Sequence, residues 1–339
     1  MRTTTPRWLV LVVGALALLS CSEPNTPQSC FDVLWRDFDA HYGQFEVKNI
    51  NWDEIRARYR PLLNNNSTDD ELFAVLQGVL AELNDSHIIL RGGGKRFQSG
   101  IVGQLGKMTD FSVDLVKRRY LADANTAANG SITYGHVSDT IGYIHMAMMQ
   151  LSNGNSAELI SAFDDALAPL VDCAGLIIDI RGNGGGQFQV AEAIANRFAD
   201  TQRLAEKIRY RHGPRHSDFA DPIFWYAEPA GRRQFTGPVI LLTNRYSVSA
   251  AEIFTITMRV FPNVTHMGDT TAGALDGPID RELPNGWLYK LPLGLTTDHN
   301  DICYEGQGIT PEIQITNSAG TIESGTDQVL EAAIGRSSI

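Results

Sequence analysis

Among the side chains that could do chemistry, Ser249 is the first to consider. It stands in Tyr246-Ser247-Val248-Ser249-Ala250-Ala251-Glu252-Ile253-Phe254, after the apolar run Pro238-Val239-Ile240-Leu241-Leu242-Thr243 and before a helical pattern from Ala250 to Val260. That placement predicts a serine at a helix N-terminus, where free backbone N–H groups and the helix dipole favour negative charge. A nucleophilic oxygen and the oxyanion its attack creates are both favoured there. The structural alternative is that Ser249 is only an N-cap, a role Ser247 could also fill. Such a hydroxyl needs a base, and imidazole suits the task because it titrates near working pH; the chain has eight histidines, His87 among them. A lone histidine at a helix end could equally be a capping or surface residue. Gly184, Gly185 and Gly186 remove side chains, so backbone N–H groups can approach a reacting carbonyl. The same run fits a tight strand-to-helix turn or a phosphate loop, but no Gly-Lys-Ser/Thr follows as in a Walker loop. His212, His216 and Asp218 could suggest a metal, yet Gly213-Pro214 forbids the helix their spacing would need. That stretch is expected to be a polar surface loop without metal.

The elements that must position these residues follow from periodicity. Phe31, Leu34, Trp35 and Phe38 repeat at three and four, which predicts an amphipathic helix to about Tyr42. A second helix is predicted from Asn51-Trp52 to about Tyr59. Thr68-Asp69-Asp70-Glu71 is a capping-box pattern opening a third, with Leu72, Val75, Leu76, Val79, Leu80 and Leu83 on one face. The third helix ends at Asn84-Asp85-Ser86-His87, ahead of the short apolar run Ile88-Ile89-Leu90 and the break at Gly92-Gly93-Gly94. Short strands and loops are expected from Phe97 to Tyr134. Beyond them, a strand at 141–146, a helix at 156–168, a strand at 174–180, the glycine turn at 181–186 and a helix at 188–198 alternate. This rhythm predicts an α/β domain with at least partly parallel strands.

The chain has 339 residues, 43% hydrophobic and 20% charged, which is ordinary for a globular protein. Its formal net charge is −11 and no basic stripe interrupts it, so no nucleic-acid partner is expected. Arg2 and Arg7 precede the apolar Trp8–Leu19, the layout of a signal peptide. Leu18-Leu19-Ser20-Cys21 resembles the lipobox of bacterial lipoproteins, in which the cysteine is lipidated; an ordinary cleaved signal with an incidental cysteine is the alternative. The expected division is a lipoprotein signal peptide at 1–20, a tether at 21–29, an N-terminal helical subdomain at 30–90 and an α/β core at 91–339. Ser22 after the cysteine points to the outer rather than the inner membrane by resemblance to the enterobacterial sorting rule. Cys30, Cys173 and Cys303 fit no zinc motif and are expected to be mostly buried small hydrophobes.

Four stretches, taken in order, resemble motifs of the S41 peptidase family, the C-terminal-processing and tricorn-type serine peptidases. They are Asp85-Ser86-His87, Asp179-Ile180-Arg181-Gly182-Asn183-Gly184-Gly185-Gly186, Ser249-Ala250-Ala251-Glu252, and Glu305-Gly306-Gln307-Gly308-Ile309-Thr310-Pro311-Glu312. The resemblance implies a ClpP/crotonase-like α/β core, a peptide or protein substrate, and no metal or organic cofactor. It implies Ser249 as nucleophile, His87 as base, and the N–H groups of Gly185 and Ala250 as oxyanion hole.

The family has a Ser–Lys branch and a tricorn-like branch using Ser, His, a second Ser and Glu. No lysine stands in Gly268–Leu275, where the first branch would place it, and Lys290 is the one lysine after Ser249. Ser86, His87, Ser249 and Glu305 match the second branch, implying a relay from Glu305 through Ser86 and His87 to Ser249. Asp85 is a competing orienter of His87, while Glu252 and Asp179 are expected to be structural. The stretch between Ile88 and Ile141 is too short for a PDZ module with its flanking strands. Tail recognition is therefore not expected. A non-catalytic ligand-binding module of the same fold, or an esterase or amidase using the same site, are the rival readings. Oligomeric state is left open.

Overall fold

The chain enters the structure, a computed structural model that describes residues 23–337, through helix α1 (Pro27–His41). Thr26 caps it by accepting the Ser29 amide, so the helix begins inside the expected tether. Helices α2 (Trp52–Tyr59) and α3 (Asp69–Ala81) follow, and α3 opens with the Thr68–Glu71 capping box that its sequence predicts. Next come β1 (Ile89–Gly92), β2 (Lys95–Gln98) and α4 (Val113–Arg119). The chain continues through β3 (Asn125–Ala127), β4 (Ile132–Ser138), β5 (Ile141–Met146), α5 (Ser156–Leu167), β6 (Gly175–Asp179) and α6 (Phe188–Ala195). It then forms β7 (Arg203–Tyr210), β8 (Ile223–Ala227), β9 (Val239–Thr243), α7 (Ala250–Met258) and β10 (Val264–Gly268). The last elements are β11 (Pro278–Glu282), β12 (Leu288–Pro292), β13 (Gly294–Asp298), β14 (Ile313–Gln314), α8 (Ala319–Glu323) and α9 (Gln328–Ser337). The expected signal peptide and Cys21 lie outside the described residues. Among the described residues, no helix is long and apolar enough to cross a membrane.

The central sheet has seven strands in the order β14-β10-β9-β6-β5-β4-β3. From β5 to β14 the pairing is parallel, and β4 and β3 continue it antiparallel. Strands buried on both faces explain the unbroken apolar runs in β6 and β9. Ile178 and Leu241 face α5, α6 and α7, whereas Ile177, Ile240 and Leu242 face Val116 of α4 and Val329, Leu330 and Ala333 of α9. Helices α1 to α3 pack instead on an antiparallel sheet ordered β11-β12-β1-β2. Their core takes in Leu90, Leu283, Trp287, Tyr289 and Leu291. The N-terminal helices thus share one apolar cluster with strands drawn from beyond residue 280. A third sheet, β13-β7-β8, is also antiparallel.

Two expectations need correction. Helix α4 lies where short strands and loops were expected; it is too short for its two buried residues, Leu115 and Val116, to show a period. Only Cys30 of the three cysteines is fully buried, Cys173 and Cys303 being half-buried, and all three are free thiols. Burial still pushes the Cys303 thiol up to about 12.

Candidate active site

Ser249 occupies the turn between β9 and α7, at the carboxyl end of the parallel strands, where ligands bind in open α/β sheets. Its backbone sits at φ 60°, ψ −119°, a region that non-glycine residues rarely adopt. Several bonds hold that strain. The Val248 amide donates to the Asn183 carbonyl at 2.9 Å, and the Ser249 amide to Glu252 Oε2 at 3.1 Å. Fully buried Glu252 also accepts from Thr271 Oγ1 and from the Gly273 and Ala274 amides. Burial raises its pKa, and these bonds oppose the rise. Glu252 is therefore structural, tying the serine turn to the loop at 271–274. Ser247 is buried, its hydroxyl donating to the Ile180 carbonyl at 2.8 Å.

His87 and Ser249 lie 162 positions apart in sequence and meet here, His87 Nε2 standing 3.1 Å from Ser249 Oγ. Both residues are half-buried. Burial lowers the imidazole pKa below its ordinary 6.5, the Asp85 charge opposes this, and Lys290 and Lys48 add to the lowering. The ring is thus held neutral, the state a base requires. For Nε2 to accept a proton, Nδ1 must carry the hydrogen. Nδ1 is buried and has no hydrogen-bond partner. Asp85 Oδ1 accepts the main-chain amide of His87 at 2.9 Å, so Asp85 orients the backbone and not the ring.

Ser86 and Glu305 are close by but not joined to His87. The Ser86 hydroxyl accepts the Val102 amide at 3.1 Å, and Glu305 Oε2 accepts the Leu275 amide at 2.7 Å. Among the described residues no hydrogen bond links Ser86 to His87 or to Glu305, and Glu305 Oε1 has no hydrogen-bond partner. Neither relay bond implied by the resemblance is formed in this arrangement. Burial, then the charge of Asp85, push the Glu305 carboxyl well above the usual range. Asp276, raised to about 6 by burial, accepts from Gln44 and Thr296, and the nearby Asp85 charge adds to the rise. Tyr42 donates to Asp85 Oδ2 at 3.0 Å. The Lys48 ammonium lies 3.9 Å from both Asp85 and Glu305. Sequence reasoning missed Tyr42, Gln44, Lys48 and Asp276, because they sit in loops whose polar residues have no period to mark them as buried.

The glycine turn passes directly against the serine. A Cβ on Gly185, at φ +89°, would come within 2.7 Å of Ser249 Cβ and 2.6 Å of the Val248 carbonyl, so only glycine fits. The Ala250 amide, at the first turn of α7, makes no hydrogen bond among the described residues and is available to an oxyanion. The Gly185 amide donates to Asn183 Oδ1 at 2.9 Å, so it must share or leave that bond before it can serve as a second donor. Lys290 forms a salt bridge with Asp280 at 2.8 Å. His216 pairs with Asp39 and stacks on Phe45, and Asp218 closes a turn with Arg215.

A parallel sheet that delivers a serine turn, a histidine and a glycine turn to one edge defines a hydrolase-like architecture. Residues 140–315 match peptidase family S41, and residues 24–81 match the tricorn protease C1 domain. The chain belongs to peptidase family S41. A crystal structure of a candidate peptidase from Parabacteroides merdae is 32% identical, with a TM-score of 0.82, over 93% of this chain and 97% of that one. The carboxy-terminal processing protease CtpA of Bacillus subtilis is 27% identical over 205 residues, which is 57% of this chain and 41% of that protein. The tricorn protease of Thermoplasma volcanium is 25% identical over 208 residues, 61% of this chain and 18% of that protein. The chain therefore spans less than half the length of these two curated relatives.

Proposed function

We propose that this protein is a serine peptidase of the bacterial cell envelope, with Ser249 as nucleophile and His87 as general base. The observation that carries the reading is the 3.1 Å approach of His87 Nε2 to Ser249 Oγ at a strained strand–helix turn. In the acylation step, Ser249 Oγ bonds to the substrate carbonyl carbon as its proton passes to His87 Nε2. The carbonyl oxygen becomes an oxyanion facing the Ala250 amide, joined by the Gly185 amide once Asn183 releases it. Collapse expels the amine, which takes the proton from His87. Water then repeats the sequence on the acyl-enzyme and frees Ser249. Ser86 and Glu305 orient His87 by way of Nδ1, which lacks a partner in the resting arrangement.

The direct test is cleavage of an unfolded protein substrate, with the new termini read by mass spectrometry. Wild-type protein should cut it and Ser249→Ala should not; equal cutting by both overturns the assignment. Cleavage of esters alone would move the protein to the esterase reading. Placement in the envelope rests on the signal-like N-terminus and Leu18-Leu19-Ser20-Cys21. Cys21→Ala should release the protein from the membrane fraction, because stable attachment needs the multiple acyl chains of a lipoprotein. A variant that still sediments with membranes contradicts lipid anchoring, and with it the outer-membrane placement.

A further inference from the structure

The loop between α1 and α2 sends one buried cation into the acidic cluster behind the histidine. Lys48, with its side chain only 11% exposed, donates to Tyr42 Oη at 3.1 Å and to the carbonyls of Leu83 and Asn84 at 3.0 and 3.2 Å. An ammonium has three N–H donors, and these three bonds account for all of them. The two carbonyls immediately precede Asp85, Ser86 and His87, so Lys48 grips the segment that carries the base. The same ammonium is 3.9 Å from Asp85 Oδ2 and 3.9 Å from Glu305 Oε1. Two buried carboxyl groups from distant parts of the chain thus share one counter-charge. The neighbours Gly43 and Gln44 fix the loop in place, Gly43 packed on the Gly294 carbonyl and Gln44 bonded to Asp276.

We propose that Lys48 is a positioning residue of the site: it clamps the His87 segment by its carbonyls and, as the shared counter-charge of Asp85 and Glu305, sets the pH range in which His87 acts as a base. This rests on the assignment of Ser249 and His87 made above. The charged groups facing His87 are Asp85 on its own segment, Lys290 from β12 and Lys48 from the α1–α2 loop. Glu305, Asp276 and Tyr42 share the field of Asp85. A positive neighbour disfavours the imidazolium, so removing Lys48 makes His87 easier to protonate.

The test reads the rate of Ser249 labelling by a fluorophosphonate across pH. The proteins compared are wild type, Lys48→Gln, Lys48→Arg and, as a control, Lys95→Met. Lys95 pairs with Asp70 at the surface, away from the site. In Lys48→Gln the midpoint of the acid limb should move up by roughly 0.5 to 1 pH unit, the size expected for one charge at short range in a partly solvated site. Lys48→Arg should keep the wild-type midpoint, as should Lys95→Met. A Lys48→Gln midpoint equal to wild type overturns the proposal, even if the overall rate falls. A Lys48→Gln protein that does not fold also overturns it, because the residue would then serve the fold and not the base. Absence of labelling at Ser249 in the wild type would instead refute the nucleophile assignment and leave the two failures distinguishable.

Discussion

Two residues apart, Ser247 and Ser249 present their hydroxyls to opposite surroundings. Ser247 is enclosed and bonded to backbone, while Ser249 faces an imidazole held neutral by burial. His87→Ala should lower turnover by on the order of 10³-fold or more, judged by related triads. Lys290→Met should leave it nearly unchanged, because that ammonium is paired with Asp280. Ser86→Ala and Glu305→Gln should each cost less than His87→Ala. Their double variant should be clearly less than additive if both act on His87 as one relay. Steady-state kinetics on one peptide substrate, with folding checked by circular dichroism, decides these points. A dead Lys290→Met enzyme beside an active His87→Ala enzyme would place the protein in the Ser–Lys branch. Strictly additive losses at Ser86 and Glu305 would instead dissolve the relay and leave Ser86 with its bond to the Val102 amide.

The elements that were legible in sequence are those with a strong period or a cap. The spans of β5, β9, α3 and α7 follow from the apolar runs at 141–146 and 239–243, from the Thr68 capping box and from the Ser249 junction. Of the proposed site, Ser249, His87 and the glycine turn stand out in sequence because each lies in a stretch that resembles a family motif. The buried polar loops do not, since a lysine or aspartate in a loop carries no pattern that reveals its burial; Lys48 and Asp276 emerge only when strands far apart in sequence close around them. A buried pair of carboxyl groups within regular elements is equally unmarked in the sequence. Glu192 of α6 and Glu206 of β7 meet in the interior, and burial raises both, Glu192 from 4.5 to about 7. Between about pH 4.5 and 7 the folded state therefore holds more protons than the unfolded chain, and stability from this pair falls as pH rises. Buried His266, lowered to about 3, gives the opposite slope and is common to any variant of Glu192. The melting temperature of the wild type should thus fall relative to Glu192→Gln across that window. A constant difference between the two proteins would show that the raised carboxyl is absent.

At the scale of the molecule, the proposed catalytic arrangement depends on parts that are remote in the chain. The loop between α1 and α2 contributes Tyr42, Gln44 and Lys48, α3 leads into His87, the central sheet supplies the glycine and serine turns, and the segment after β13 supplies Glu305. Arg181 binds the far side of the sheet together through buried pairs with Asp179 and Asp327, at 2.6 and 2.9 Å, and so anchors the start of α9 beneath the glycine turn. Helices α1 to α3 cannot be treated as an appendage, because their core includes Leu283, Trp287, Tyr289 and Leu291. All of this converges on one oxygen atom. The most direct measurement is therefore covalent: treat the purified protein with a fluorophosphonate at neutral pH, digest it, and locate the adduct by mass spectrometry. The account predicts a single adduct on Ser249, lost in Ser249→Ala and strongly slowed in His87→Ala. An adduct on Ser247, or labelling of the Ser249→Ala protein equal to that of the wild type, would contradict it.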